Sequence, residues 1–330
     1  MILEATKDAI DHCVSLLQQD EIVAVPTETV YGLAGNALKE SSVRKIFQVK
    51  GRPLIDPLIV HCKNLQTVEG LAAIDDNVRK LAKNFWPGPL TVVVPKNEKV
   101  PDIVTAGLPS VAVRVSKHPV LQTILEHLDF PLAAPSANPF GYVSPTLASH
   151  VKQTLGSKLK AILDGGPCNI GLESTILDMR LPEKPVLLRQ GAITAEQIEQ
   201  CLGNQIKTKF SNQNEDHQAQ NAPGQLTKHY SPKTVVSLLE HGSFQVQDFV
   251  IHASDSATAL ICNRKPDGYT ASQANIYWLS ETGNLEEIAR NLFDLMQVLD
   301  QQGFQKIYIE KASAEGLGLA INERLRRASA

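Results

Sequence analysis

Apolar runs of strand length alternate along the chain with segments in which apolar residues recur every three or four positions. The runs predict strands at 22–25, 57–60, 90–94, 110–115, 131–134, 161–163, 174–178 and 185–188. The periodic segments predict helices at 6–19, 65–73, 77–85, 119–128, 148–155 and 194–202, and a further helix that Ser41 or Ser42 caps and that leads to Lys50. Strands and helices in alternation are typical of an α/β fold.

A polar segment without any hydrophobic period divides the chain. Residues 207–224, KTKFSNQNEDHQAQNAPG, have the composition of a linker. Beyond it we predict strands at 234–238, 258–261, 276–279 and 306–310, and helices at 284–301 and 318–328. This pattern indicates a second, smaller parallel α/β domain, so we divide the chain into 1–206, 207–231 and 232–330.

Composition narrows the class of protein. Hydrophobic residues make up 43% of the 330 residues and charged residues 20%, which is typical of globular domains. The formal net charge of -3 gives no general attraction to nucleic acid or to anionic membranes. The five cysteines form no CxxC pair, which argues against a disulfide framework or a zinc site. The first residues lack the layout of a signal peptide and no apolar run could span a membrane, so we expect a cytoplasmic protein.

The run 22–25 leads into the polar sequence PTETVYGL, where Pro26 ends the strand because it has no N–H to donate. Thr27, Glu28, Thr29 and Tyr31 then bring hydroxyls and a carboxylate to the end of that strand. Ligands of open α/β sheets bind at such strand ends. The alternative is an ordinary loop whose threonines satisfy nearby backbone groups.

Cations recur beside predicted strand and helix ends. Lys50-Gly51-Arg52-Pro53 presents two positive charges from a constrained loop, which suits phosphate oxygens, although a solvated helix end would have the same composition. Arg114 interrupts an apolar strand, and a buried arginine is costly unless an anion accompanies it. His61 follows another strand and could be structural or functional.

Small and hydroxyl-bearing residues fill the loop PSANPFGYVSPT at 135–146, which a ligand could approach closely, or which could simply cap the next helix. No GxxxxGK[ST], GxGxxG, HExxH or GxSxG motif is present. Cations and neutral donors without an obvious nucleophile favour positioning and charge stabilisation of a phosphate-bearing substrate.

The motifs PTETVYGL, KGRP, PLIVH, WPGPLT, VAVRV, APSAN, SPT, LDGG, ESTILD, LLRQGAI and HYSP occur in this order. Together they resemble the YrdC-like threonylcarbamoyl-AMP synthases in their longer, two-domain form, as does the ending GLGLAINERLRRA. The resemblance implies a twisted open α/β sheet with a concave active-site cavity at 1–206, a lid over the active site at 207–231 and a Rossmann-like C-terminal domain of unknown role at 232–330.

The resemblance also implies a reaction. L-threonine, bicarbonate and ATP would give L-threonylcarbamoyl-AMP and pyrophosphate. Partner proteins would then use this adenylate to form N6-threonylcarbamoyladenosine in tRNA, with a possible weak contact between this chain and tRNA.

Site residues follow from the same resemblance, position by position. Lys50 and Arg52 would be catalytic, since they would neutralise charge as pyrophosphate leaves. L-threonine would contact Thr29, His61, Arg114, Ser174 and the backbone at Ala134. ATP would contact Lys50, Arg52, Asp56, Ser110, Ser136, Ser144, Arg189 and Tyr230. Mg²⁺ is expected with the triphosphate, held by its oxygens and by water rather than by a protein site.

Two positions depart from the family pattern. Phe140 lies where the family often has serine, which puts a hydrogen bond there in doubt, and Ser110 replaces a common threonine but keeps the hydroxyl. Two other functions remain open. An RNA-binding module without nucleotidyl transfer is disfavoured by the net charge and by only 5% aromatic residues. Carbamoyl transfer to a thiol, as in hydrogenase maturation proteins, is disfavoured because this chain has no zinc-type cysteine pairs.

Overall fold

The computed structural model describes residues 1–208, 229–242, 257–268 and 275–330. The chain forms two compact units. The first contains residues 1–140, 145–169 and 173–227, and the second contains residues 228–330 with the two short segments 141–144 and 170–172. None of the helices within the described ranges is long and apolar enough to cross a lipid bilayer.

A mixed sheet of eleven strands is the centre of the first unit. Its strands are β1 Ile2–Glu4, β2 Val23–Val25, β3 Gly32–Asn36, β4 Ile59–His61, β5 Leu90–Pro95, β6 Ser110–Arg114, β7 Leu132–Ala133, β8 Ile162–Asp164, β9 Thr175–Asp178, β10 Val186–Arg189 and β11 Lys207–Thr208. Their order across the sheet is β1-β8-β2-β3-β7-β4-β6-β5-β9-β10-β11. The strands β4 and β6 are parallel, whereas β5 and β6 are antiparallel.

Seven α-helices of this unit match the predicted helical segments. They are α1 Lys7–Gln18, α2 Glu40–Lys50, α3 Leu65–Glu69, α4 Asp76–Phe85, α5 Pro119–Glu126, α6 Ala148–Leu155 and α7 Ala195–Leu202. Side chains cap α1 and α7, because Thr6 accepts the N–H of Ala9 and Thr194 forms a capping box with Gln197.

The two faces of the sheet have different roles. Side chains alternate between the two faces along each strand. Val60 and Val113 point to the face that packs against α2, α3, α4 and α6 in the large core, and we call it the helix face. The other face is covered at one end by the cluster that contains α1 and α5. Over β4, β5, β6, β9 and β10 that second face carries only a small apolar cluster, with Ile59 and Ala112 among its members. His61 and Arg114 have the same parity and share this second face, which we call the site face.

One local prediction was wrong, and two strands of the first unit, β1 and β3, were missed. Neither Ser41 nor Ser42 caps α2, since the helix begins at Glu40 and the Ser42 hydroxyl instead accepts the N–H of Asn36 at 3.0 Å. Strand β3 was missed because its sequence GLAGN has no long apolar run. A side chain at Gly35 would lie 2.6 Å from the Ser42 hydroxyl, so close packing of α2 requires the glycine. Strand β1 was missed because only two of its residues, Ile2 and Leu3, are apolar, which is too short a run to predict a strand.

The second unit contains a parallel four-stranded sheet, as predicted. Its strands are β12 Val235–Leu239, β13 Thr258–Arg264, β14 Ile276–Ser280 and β15 Lys306–Glu310, in the order β12-β15-β13-β14. Its helices in the described residues are α8 Leu285–Asp300 and α9 Leu317–Ala328. Lys207 and Thr208, placed in the predicted linker, pair with β10 instead. Residues 209–228, which include most of that linker, lie outside the described residues, and the domain boundaries stay a prediction.

Candidate active site

The loop after β2 is folded by its own threonines. The Thr27 hydroxyl oxygen accepts the N–H groups of Thr29 at 3.0 Å and of Val30 at 3.2 Å, and it donates to the Val30 carbonyl at 2.7 Å. This turn directs Thr29 towards Arg114, whose Nη1 donates to the Thr29 hydroxyl oxygen at 2.9 Å. Thr27 therefore satisfies nearby backbone groups, as expected for an ordinary loop. The loop also contacts Arg114, a predicted site residue.

Arg114 is buried at the end of β6 and has an anion beside it, as its position in an apolar strand required. The distance from its Nη2 to Oε1 of Glu28 is 2.7 Å. The Ser116 hydroxyl and the Lys117 N–H also donate to the Glu28 carboxylate. Burial opposes the charge on Glu28, but Arg114 and these hydrogen bonds outweigh it and lower the pKa of Glu28 to about 2. The sequence prediction left Glu28 out of the site, although a buried arginine needs such a partner.

His61 is the neighbour of Arg114 in the sheet. It is the last residue of β4 and lies directly opposite Arg114 in the parallel register. Burial, followed by the positive charge of Arg114, lowers the pKa of His61 to about 3. The imidazole is therefore neutral at physiological pH. Its buried Nδ1 has no hydrogen-bond partner within the described part of the chain, so it can contact a ligand.

Ser174 and Arg189 meet at the same edge of the sheet. Ser174 immediately precedes β9, and Arg189 ends the antiparallel strand β10. Arg189 donates from Nε to the Ser174 carbonyl at 2.9 Å and from Nη2 to the Ser174 hydroxyl oxygen at 3.1 Å. The hydroxyls of Ser174 and Thr91 are 2.8 Å apart. Thr91 was not predicted, because a threonine inside an apolar strand gives no signal in a single sequence.

Neighbouring strands thus bring together most of the residues assigned to L-threonine. The sheet order places β7, β4, β6, β5 and β9 side by side. Ala134 follows β7 and donates its N–H to the Ile59 carbonyl of β4 at 3.0 Å. His61, Arg114 and Ser174 lie at the ends of β4 and β6 and the start of β9. The geometry offers one arginine, a neutral imidazole, hydroxyls and backbone groups in a buried setting.

Lys50 is the last residue of α2 and is buried. Its Nζ donates to the backbone carbonyls of Ser136 and Asn138, both at 2.6 Å, so the ammonium binds the small-residue loop. Gly51 adopts the left-handed conformation, with φ of 65°, and ends the helix. Burial, and then the charge of Arg52, lowers the pKa of Lys50 well below its usual value. Lys50 and Arg52 are both buried, so the alternative that they form a solvated helix end is excluded.

Arg52 turns back onto its own loop. Its Nη2 lies 2.9 Å from Oδ1 of Asp56, and the guanidinium also donates to the carbonyls of Asp56 and Pro57. The ring of Phe140 lies 6.0 Å from its Cζ. The position where serine is common in the family therefore holds an aromatic ring against Arg52. The Phe140 N–H still donates to the Lys50 carbonyl at 2.8 Å.

The remaining residues assigned to ATP are more dispersed. Ser110 begins β6 and lies at the opposite end of that strand from Arg114, although on the same face. Ser144 and Tyr230 belong to the second unit. There the Ser144 carbonyl accepts from Gln297 at 3.0 Å, and Tyr230 stacks on Phe293 with ring centroids 5.5 Å apart. The lid over the nucleotide stays a prediction.

No group of three or more His, Cys, Asp or Glu side chains that could hold a metal ion occurs in the described ranges. All five cysteines are free, and four of them are buried.

Comparison with known proteins shows the family of this chain. A family model described as telomere recombination, for the Sua5, YciO and YrdC proteins, matches residues 15–191. A second, the C-terminal domain of threonylcarbamoyl-AMP synthase, matches residues 193–330. A threonylcarbamoyl-AMP synthase of Pyrococcus abyssi is 40% identical over 95% of this chain and 92% of its own length. One of Bacillus subtilis is 36% identical over 99% and 94%.

A solved structure extends the comparison to the fold. The crystal structure of P. abyssi Sua5 complexed with L-threonine superposes with a TM-score of 0.90 at 37% identity, over 100% of this chain and 97% of that one. This likeness confirms the predicted fold of a twisted α/β sheet with a second α/β domain. The chain belongs to the Sua5/YciO/YrdC family, in the form that ends with the C-terminal domain of threonylcarbamoyl-AMP synthase.

Proposed function

We propose that this chain synthesises L-threonylcarbamoyl-AMP from L-threonine, bicarbonate and ATP, with release of pyrophosphate. The observation that carries the proposal is the buried cluster of Thr29, His61, Arg114 and Ser174 at neighbouring strand ends, in a chain 40% identical to a threonylcarbamoyl-AMP synthase. The product would serve the proteins that form N6-threonylcarbamoyladenosine in tRNA.

L-threonine fits the chemistry of this cluster. Its carboxylate would join Arg114, which already has a partner in Glu28 and would share its charge between the two anions. Neutral His61 would accept a hydrogen bond from the amino acid at Nδ1 without adding a positive charge beside the amino group. Thr29 and Ser174 would bind through their hydroxyls, and Ala134 through its backbone.

The reaction then needs two bond-forming steps. The neutral amino group of L-threonine attacks carbon dioxide derived from bicarbonate, loses a proton and becomes a carbamate. A carbamate oxygen attacks the α-phosphorus of ATP, and the bond to pyrophosphate breaks. Phosphorus chemistry of this kind depends on positioning and on stabilisation of charge. The cations Lys50 and Arg52 would supply that stabilisation and are the proposed catalytic residues.

ATP itself is assigned by resemblance. The proposed contacts are Lys50, Arg52, Asp56, Ser110, Ser136, Ser144, Arg189 and Tyr230. In the first unit the contact between Arg189 and Ser174 joins a proposed ATP residue to a proposed threonine residue. Because both substrates must approach each other for the second step, this contact supports the assignment.

Mg²⁺ is proposed to accompany ATP. Asp56, the carboxylate among the proposed ATP contacts, is paired with Arg52 at 2.9 Å. We therefore assign the metal ligands mainly to phosphate oxygens and water, as is usual for this cation.

Pyrophosphate release from ATP tests the proposal. The purified chain is assayed with Mg²⁺ and with L-threonine or bicarbonate omitted in turn. We expect release only when both are present. If folded protein released no pyrophosphate under any combination and still bound tRNA, a binding role would replace the proposed synthesis.

A further inference from the structure

A cavity of about 270 Å³ lies in the first unit, and none of its lining residues belongs to the proposed substrate sites. Its lining comes from three places in the chain: Lys63, Asn64 and Leu65 at the start of α3; Arg79, Ala82 and Lys83 on α4 with Trp86 and Pro87 just beyond it; and Val115 after β6. Arg79, Ala82 and Lys83 have the spacing of one helix face. The cavity is therefore formed by three separate parts of the chain rather than by a single loop.

The cavity is separate from the proposed threonine site. Val115 lies in the large core of the helix face, and Leu65 and Trp86 pack against that core. Arg114 and His61 have the opposite parity and point to the site face. A ligand in this cavity would therefore contact the other side of the sheet.

The lining combines positive charge with apolar surface. It includes three basic side chains and no acidic one. Arg79 pairs with Glu69, which lies outside the lining, whereas Lys63 and Lys83 form no ion pair with any residue that the structure describes. The charges of Lys63 and Lys83 are therefore available to a ligand, and an anionic ligand would complement them.

The apolar part of the lining favours an aromatic ligand. The indole of Trp86 is held in place, because its Nε1 donates to the Leu90 carbonyl at 2.7 Å. Pro87, Leu65, Ala82 and Val115 add further apolar surface. A fixed indole offers a planar ring a stacking surface. The volume is just below the range of about 300–1,000 Å³ for ligand pockets, so the ligand must be small.

We propose that this cavity binds a small aromatic anion, with its ring against Trp86 and its charge between Lys63 and Lys83. This proposal does not depend on the proposed synthesis, because its test requires no turnover.

The test uses the fluorescence of Trp86. The sequence has two tryptophans, so Trp278→Phe leaves Trp86 as the single reporter in the full chain. Phenyl phosphate is titrated as the probe, with inorganic phosphate and phenol as separate controls for the charge and the ring. We expect a saturable change in Trp86 emission with phenyl phosphate, at a Kd at least tenfold below that for either control.

A second variant locates the binding. In the Trp278→Phe background, Lys63→Gln with Lys83→Gln should weaken phenyl phosphate binding at least tenfold, while circular dichroism remains that of the parent. The proposal is overturned if Trp86 emission does not saturate, if phosphate or phenol alone matches phenyl phosphate, or if the lysine variant binds equally well. It is also overturned if a short single-stranded RNA binds far more tightly than the probe, since the cavity would then belong to a macromolecular surface.

Discussion

Glu28 and Arg114 form a buried ion pair, with Oε1 and Nη2 2.7 Å apart, in the middle of the proposed threonine site. The exposed fractions of the two side chains are 8% and 3%. Arg114 is thus neutralised before any ligand arrives. A ligand carboxylate must share the guanidinium with Glu28, so the pair both supports the fold and limits the affinity of the site.

Removing the charge of Glu28 should destabilise the fold and increase its dependence on ligand. Glu28→Gln leaves Arg114 buried without a counter-ion, which costs about 3–5 kcal/mol. The carboxylate of L-threonine would restore part of that compensation. In urea unfolding we therefore expect saturating L-threonine to stabilise the variant more than the wild type.

The matched control is Glu40→Gln, because Glu40 pairs with Arg44 on the surface, where both side chains are more than half exposed. We expect it to change the free energy of unfolding by less than about 1 kcal/mol and to leave the effect of L-threonine unchanged. An equal or smaller ligand effect in Glu28→Gln would contradict the assignment of Arg114 to the threonine carboxylate.

The buried imidazole of His61 predicts a pH dependence of stability. Its pKa is about 3 in the folded state and 6.5 as the ordinary value, so below pH 6.5 the unfolded chain binds a proton that the folded chain does not. Above pH 6.5 the protonation of His61 therefore costs the folded state no stability, whereas the free energy of unfolding decreases as the pH falls from 6.5 towards 3. The slope is about 1.4 kcal/mol per pH unit within that window.

Denaturant unfolding between pH 6.5 and 4.5 isolates this effect when the wild type is compared with His61→Gln, because burial also lowers the pKa of His118 and that contribution is present in both proteins. The pKa of Glu28 is lowered from 4.5 to about 2, so its contribution is lost mainly below this range. His61→Gln should flatten the profile, whereas substitution of the exposed His12 by Gln should not. If His61→Gln kept the wild-type dependence of the free energy of unfolding on pH, His61 would not be a buried neutral imidazole.

Lys50 should contribute both to structure and to turnover. Lys50→Met keeps the length of the side chain but removes the donors that Ser136 and Asn138 accept. We expect a loss of stability of about 1–3 kcal/mol and a decrease in pyrophosphate release on the order of a hundredfold. Arg52→Ala should likewise lose most activity.

Lys158→Met is the control for the lysine substitution, since Lys158 donates to the Val49 carbonyl at the surface. It should retain wild-type stability and turnover. Undiminished pyrophosphate release by folded Lys50→Met would remove Lys50 from the catalytic residues.

Thr91 should position Ser174 rather than touch the reacting atoms. Thr91→Val keeps the shape of the side chain and removes the hydroxyl that lies 2.8 Å from that of Ser174. Loss of one such hydrogen bond is worth about 1 kcal/mol, so we expect KM for L-threonine to rise about fivefold with kcat nearly unchanged. Thr123→Val, on the exposed side of α5, is the control. A fall in kcat at constant KM would contradict the positioning role.

The sequence predicted where most strands of the first unit end, but not their order across the sheet or how each side chain is satisfied. His61, Arg114 and Ser174 were assigned through the resemblance to one family, and the apolar runs place each of them beside a strand end. Thr91 was missed, since its partner across the sheet becomes visible only when the register is known. Glu28 was missed because sequence spacing does not show that the loop after β2 meets Arg114.

Mass spectrometry of the nucleotide product tests the proposed synthesis most directly. The chain is incubated with ATP, Mg²⁺, L-threonine and either ordinary or ¹³C-labelled bicarbonate. We predict an adenylate heavier than AMP by a threonylcarbamoyl group, whose mass increases by the one labelled carbon, and which disappears in Arg114→Gln. Formation of AMP or ADP alone by folded protein, without incorporation of the label, would contradict the proposed reaction.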